Sequence, residues 1–256
     1  MRASASIALA MALVSAPLAA KPSASAPPSG VAGAIAAIDR TPDNVKLDEG
    51  RKPLQLLQFF GLKSGMKVLD LFGANQYWSE IMAPAVGPTG HVTVWQPTQF
   101  LKDERRQGFE KFAARQKNVN LISSPFEAPN LPANSFDFAI MNLDYHDVYW
   151  EDAERKIVRM DPDAWLKVLY AAMKPGAVVG VVDHVASPGG DVRAVVDKLH
   201  RIDPEVVKRD FAKAGFKLEA SSDILRNAAD DHSLLVFDPA IRGKTDRFIL
   251  KFKKPS

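Results

Sequence analysis

The stretch VLDLFGANQYWSEIMA (68–83) decides the fold class. Its first half is an apolar run interrupted only by Asp70, the pattern of a strand buried on both faces. Its second half reads as the start of a helix. Strand, tight turn and helix in that order form the unit that holds nucleotide-like cofactors, usually through a turn with several glycines. Here the turn is Phe72-Gly73-Ala74-Asn75-Gln76, in which Gly73 is the sole glycine.

The alternation continues outward. Further apolar strands are expected at 91–95, 119–122, 136–142 and 177–183, after the first at 68–72. Helices are expected at 77–86, 101–116 and 153–173, with Pro84 kinking or ending the first. GPTG (87–90), SSPFEAPNLPANS (123–135) and KPG (174–176) supply the turns. Strand alternating with helix argues an α/β protein with a mainly parallel sheet covered on both faces, because each parallel crossover needs a helix. Downstream, Asp203 caps a helix over 204–214 that Gly215 ends. Strands at 217–221 and 248–252, joined by a long polar loop, suggest an antiparallel hairpin at one side of the sheet. Upstream, Pro53 opens a helix through Phe60 with Gly61 just past its end. A short alanine-rich helix is expected over 31–39, and RTPDNVKLDEGRKP (40–53) reads as irregular.

Bulk properties narrow the function. The net charge of +3 in 256 residues gives no footprint for nucleic acid. Residues 1–20 have the layout of a secretory signal peptide: a basic start, a short apolar stretch, then Ala19-Ala20. The apolar part is too short to span a bilayer, so stable membrane insertion is not expected after cleavage. KPSASAPPSG (21–30) reads as a flexible linker, leaving 31–256 as one domain. The absence of cysteine fits an exported, periplasmic protein.

In an open parallel sheet, ligands bind beyond the carboxyl ends of the strands. That rule collects Asp70 and the turn through Gln76, then Gln96, Glu127, Asn142, Asp144, Tyr145, His146, Asp147, Tyr149, Asp183 and His184. His146 and His184 each follow a strand end, so neighbouring strands would bring both imidazoles to one ligand as base or metal donors. Tyr77, Trp78, Trp95, Tyr145, Tyr149 and Trp150 are candidates for an apolar wall. Arg201 could clamp a carboxylate or pair with an acid, and Asp230, Asp231 and His232 could form a lid. No close pair of histidines has metal-ligand spacing, so no metal site is expected.

Five segments carry a resemblance: GRKPLQLLQFFGLKSGMKVLDL (50–71), YHDVYW (145–150), KPGAVVGVVDH (174–184), LHRIDP (199–204) and DDHSLLVFDPAIRGKTDRFILKF (230–252). Together they resemble a class I S-adenosylmethionine-dependent methyltransferase, and more narrowly a bacterial group of exported methyltransferases. The resemblance implies a Rossmann-like, seven-stranded sheet with helices on both faces and the last strand antiparallel. It implies S-adenosylmethionine as cofactor, held by Asp70, Phe72, Gly73, Ala74, Asn75, Tyr77, Gln96, Glu127 and Asn142. It departs at the turn, where the family's glycines fall on Phe72, Ala74 and Gln76, and at Gln96, where the family has an acid for the ribose. A small-molecule acceptor would meet His146, His184, Tyr145 and Asp147, with either histidine as general base. The alternatives are a non-catalytic ligand-binding protein of the cell envelope and a metal-assisted hydrolase in the same pocket.

Overall fold

The computed structural model describes residues 30–256, so the expected signal peptide (1–20) and the expected linker up to residue 29 lie outside the described residues. The elements run, in chain order, α1 (Gly30–Ile35), α2 (Pro42–Val45), α3 (Asp48–Arg51), α4 (Pro53–Phe60), β1 (Lys67–Leu71), α5 (Tyr77–Val86), β2 (His91–Pro97) and α6 (Asp103–Arg115). They continue with β3 (Val119–Ser124), β4 (Phe136–Asn142), α7 (Pro162–Ala172), β5 (Met173–His184), α8 (Val192–Leu199), α9 (Pro204–Ala214), β6 (Lys217–Ser222) and β7 (Arg247–Lys253).

The seven strands form one sheet in the order β3-β2-β1-β4-β5-β7-β6. β1 pairs in parallel with β2 and β4, and β4 with β5, whereas β7 runs antiparallel to both β5 and β6. Strand order therefore reverses between β1 and β4, and ligand crevices open at such a switch point. Successive side chains leave a strand on opposite faces, so each apolar strand feeds two cores. Leu69, Leu71, Met141 and Val181 pack with Trp165 and Leu169 of α7 and Phe211 of α9. Val68, Val94, Ile140 and Val182 pack on the other face with Leu57 of α4, Ile81 of α5 and Phe109 of α6. Gly180 permits the α4 contact: a Cβ there would stand 2.7 Å from the Phe60 ring.

Two expectations are corrected, and one helix was missed. The helix expected from 153 begins only at Pro162, where Asp161 accepts a hydrogen bond from the Asp163 amide and Pro162 takes the first turn. The charged residues before it lack a continuous apolar stripe and instead form a turn closed by an antiparallel bridge between Asp152 and Ile157. Residues 40–53, read as irregular, contain α2 and α3, tied down by Glu80, which accepts hydrogen bonds from the Thr41 amide and hydroxyl and from the Asn44 side chain. α8 was not anticipated, although Asp191 caps it through the Ala194 amide. α5 continues through Pro84 to Val86.

Candidate functional site

The turn after β1 keeps a glycine-type backbone with other side chains. Phe72 and Gln76 both hold positive φ, 59° and 69°. This left-handed region costs an L residue about 1–2 kcal/mol. The Phe72 side chain is buried in an aromatic group, with ring centres 5.3 Å from Trp95 and 5.2 Å from Phe126. Gly73 is required by its neighbour, because a Cβ there would overlap the Asp70 carboxylate. Asp70 is fully buried; its Oδ2 accepts a 2.5 Å hydrogen bond from Ser79, and its Oδ1 has no partner among the described residues. Burial pushes its carboxyl up to about 7, against the opposing Ser79 hydrogen bonds and the charge of Arg51. Arg51 lies 4.1 Å over the Tyr77 ring, within the field of Asp144, Asp70 and Asp48.

At the end of β2, Gln96 is buried and its Oε1 accepts from the Ala74 amide at 3.1 Å. The position expected to meet a ribose thus also braces the β1 turn. Asn75 accepts from the Tyr77 amide, and the Tyr77 hydroxyl donates to Asp48 at 2.8 Å. Glu127 is exposed and accepts from Gln99, so it stands apart from the turn's hydrogen bonds. Asn142 is half-buried at the end of β4, in register with Val182.

The parallel pairing of β4 with β5 brings the two strand-end histidines together, with ring centres 6.0 Å apart. They are held differently. Asp183, fully buried, accepts from the His146 amide at 2.9 Å, from its Nδ1 at 2.8 Å and from the His184 amide at 2.8 Å. Burial disfavours charge on His146, but the Asp183 and Asp147 carboxylates overcome it and raise the imidazole to about 9. Burial would also raise Asp183, yet His146 holds it below the usual carboxylate range. His184 instead pairs its Nδ1 with the Thr245 hydroxyl at 2.7 Å, and burial pushes it down to about 3. Of the two, His146 is the one in a carboxylate–imidazole pair. Asp144 is raised well above the carboxylate range by burial, with Asp147 adding repulsion.

A cavity of about 570 Å³ opens over these strand ends. Asp144, His146, Asp147, Arg155, His184 and His200 form its polar side, and Phe100, Leu143, Trp150, Val236 and Phe237 an apolar side. Tyr145 lies outside this lining: it is buried and its hydroxyl donates to Asp210 at 3.0 Å. Tyr149 also donates to Asp210, and Trp95 is core. Of the aromatic wall expected from sequence, Trp150 lines the cavity. Its partners Phe100 and Phe237 have no signal in the sequence; His200, which the sequence shows beside acids in HRIDP (200–204), closes α8 with φ 49° where glycine is usual. Arg201 clamps no open ligand: it is buried in a two-pronged pair with Asp230 at 2.9 and 3.0 Å. That pair fixes the loop carrying Val236 and Phe237, so the loop does border the cavity, through residues other than Asp231 and His232.

No protein-family model matches the chain. It is similar to a demethylmenaquinone methyltransferase of Listeria monocytogenes, 29% identical over 133 residues, which span 50% of this chain and 49% of the relative. The chain thus matches about half the length of that enzyme. Among solved structures, a SAM-dependent methyltransferase from Aquifex aeolicus aligns over 86% of this chain and 96% of its own, with a TM-score of 0.56 and 21% identity. The [4+2]-cyclase SpnF aligns over 80% of each chain at 0.56 and 18% identity. The fold is that of the class I, Rossmann-like methyltransferases. SpnF carries a different reaction name on the same architecture, so the activity must be argued from the site.

Proposed function

We propose that the protein transfers a methyl group from S-adenosylmethionine to an ionisable atom of a small, largely apolar molecule bound in the β4–β5 cavity. One observation carries this reading: beneath the left-handed turn after β1, the buried Asp70 carboxylate keeps an oxygen without a partner, within the field of the Arg51 guanidinium. A buried carboxylate within the field of a guanidinium suits the ammonium and carboxylate of an amino acid, the zwitterionic end of this cofactor. Asp70 and Arg51 would hold that end, and Gln96 would meet the ribose. The cofactor supplies an electrophilic methyl group. What remains for the chain is to orient the acceptor and receive its proton, where placement counts for more than any single acid or base. The Asp183 bond fixes the His146 ring; with the imidazole raised to about 9, Nε2 takes the acceptor's proton in the deprotonated fraction, so turnover should rise with pH towards 9. The apolar wall, continued outward by the exposed Leu234, Leu235 and Phe237, suits an acceptor with an apolar body.

Calorimetric titration of S-adenosylmethionine and S-adenosylhomocysteine into residues 21–256 tests the cofactor half. Saturable micromolar binding, weakened at least tenfold by Asp70→Asn, is expected; no binding at millimolar cofactor overturns the reading. For the acceptor half, His146→Ala should lower turnover by roughly 10²-fold or more while leaving cofactor affinity within about threefold. Unchanged turnover removes His146 from the reaction.

A further inference from the structure

We propose that the cavity also holds a divalent transition-metal ion, bound by His146 Nε2, Asp147 Oδ1 and a ring nitrogen of His200, with at least one coordination position open to the small molecule. This goes beyond the transfer reaction and does not depend on it; in the metal-bound protein His146 Nε2 is a ligand, so the acceptor binds as the anion and its proton goes to solvent. Asp147 Oδ1 stands 3.3 Å from His146 Nε2 and 3.6 Å from His200 Nδ1. One ligand atom from each of the three residues lies within 4.8 Å of the other two. Metal bonds of about 2.0–2.1 Å in tetrahedral array put neighbouring donors roughly 3.3 Å apart, so the spacing already matches a coordination shell.

Three further features point the same way. Asp147 Oδ1 is buried and makes no hydrogen bond among the described residues, although two imidazole nitrogens surround it. An acceptor oxygen enclosed in this way is costly unless a cation or a donor meets it. The outer partner is also in place. His146 Nδ1 pairs with Asp183, which orients the ring and turns Nε2 towards Asp147; a metal would replace the Nε2 proton there, giving the carboxylate–histidine–metal arrangement. His200 is the third. It sits in left-handed backbone at the end of α8, against Trp150 with ring centres 4.9 Å apart and Phe237 at 5.1 Å. His184 lies outside this group of three.

Two nitrogens and one carboxylate oxygen select zinc or another first-row divalent ion over magnesium or calcium, which favour all-oxygen shells. Three protein ligands beside a cavity of about 570 Å³ leave an open position, as in reactive metal sites and unlike closed structural ones. The small molecule would fill it with an anionic oxygen, nitrogen or sulfur.

The test is titration of the chelator-stripped protein with zinc sulfate, and separately with magnesium chloride, by calorimetry. One zinc per chain with no magnesium signal is expected. His200→Asn, which keeps a residue tolerant of left-handed backbone, and Asp147→Asn should each weaken zinc binding at least tenfold. His91→Ala, at the far end of β2, should leave it unchanged. Cobalt(II) added to the unmutated protein should give the intense visible absorption of a four- or five-coordinate ion, a readout that survives if a variant fails to fold. The proposal is overturned by no saturable zinc binding to the folded protein, by binding unaltered in both variants, or by a cobalt spectrum of the octahedral aqua ion. All these readings are taken without S-adenosylmethionine, so failure here leaves the transferase reading intact, and failure of cofactor binding leaves the zinc result intact.

Discussion

At Asp70 the chain keeps a carboxyl group where burial opposes its charge, and the turn above it is arranged around that group. The direction of the shift sets a pH dependence. The folded carboxyl titrates near 7 and the free one near 3.8. Between about pH 4 and pH 7 the unfolded chain has released a proton that the native state retains, so stability falls as pH rises through that window and is lowest above it. Asp70→Asn removes this contribution: the urea unfolding midpoint at pH 7.5, relative to that at pH 4.5, should be higher in the variant than in the parent. An equal difference in both would mean that Asp70 is already ionised when buried. Asp70 was legible in the sequence because it interrupts an apolar strand. The His146–Asp147–His200 grouping was not, because its third member reaches the others through the β4–β5 pairing and the end of α8, and no spacing along the chain encodes that.

Among the elements, the turn of residues 72–76 holds conformations that glycine would accept without cost, with Phe72 and Gln76 in glycine's place. Phe72 recovers its cost by joining the Trp95–Phe126 group. Gln76 has less return, a 3.3 Å hydrogen bond to the Ala74 carbonyl. Gln76→Gly should therefore stabilise the protein by about 1 kcal/mol in urea unfolding. A loss of stability would show that the Gln76 contacts outweigh the strain. The central strands were readable because each is an apolar run bounded by turn residues, and α4 and α9 because proline opens each and glycine follows. The segment from 153 misled because its charged residues favour a helix locally, while the cap at Asp161 and Pro162 marks the true start. α8 was missed because its eight residues make a short window for a helical period, although its apolar residues share one face.

For the molecule as a whole, the Arg201–Asp230 pair joins the 223–246 loop to the carboxyl end of β5, where Arg201 also donates to the Val185 carbonyl, with both side chains essentially inaccessible to water. Asp230 also accepts from the Asp246 amide at 2.7 Å, so one carboxylate holds both ends of the loop's second half. Arg201→Met leaves that carboxylate buried without its cation and should cost about 3–5 kcal/mol. Hydrogen exchange should quicken across residues 223–246 while α5 and α6 stay protected. Uniform exchange, with stability unchanged, would show that the loop is held by its apolar contacts instead. The sequence offered both readings of Arg201, and only the fold, by bringing residue 230 beside it, separates them.

The place of β7 has a consequence for how the chain is made. It enters between β5 and β6, pairing Phe248 with Asp183 and Arg247 with His184. A nascent chain leaving the ribosome has every other strand in hand before residue 247 emerges, yet β5 lacks its second neighbour and β6 has none. Thr245, which holds the His184 ring, arrives at the same late moment. Synthesis therefore completes the β5 side of the cavity after the other described strands, and every nascent chain ending before residue 245 carries that side unfinished.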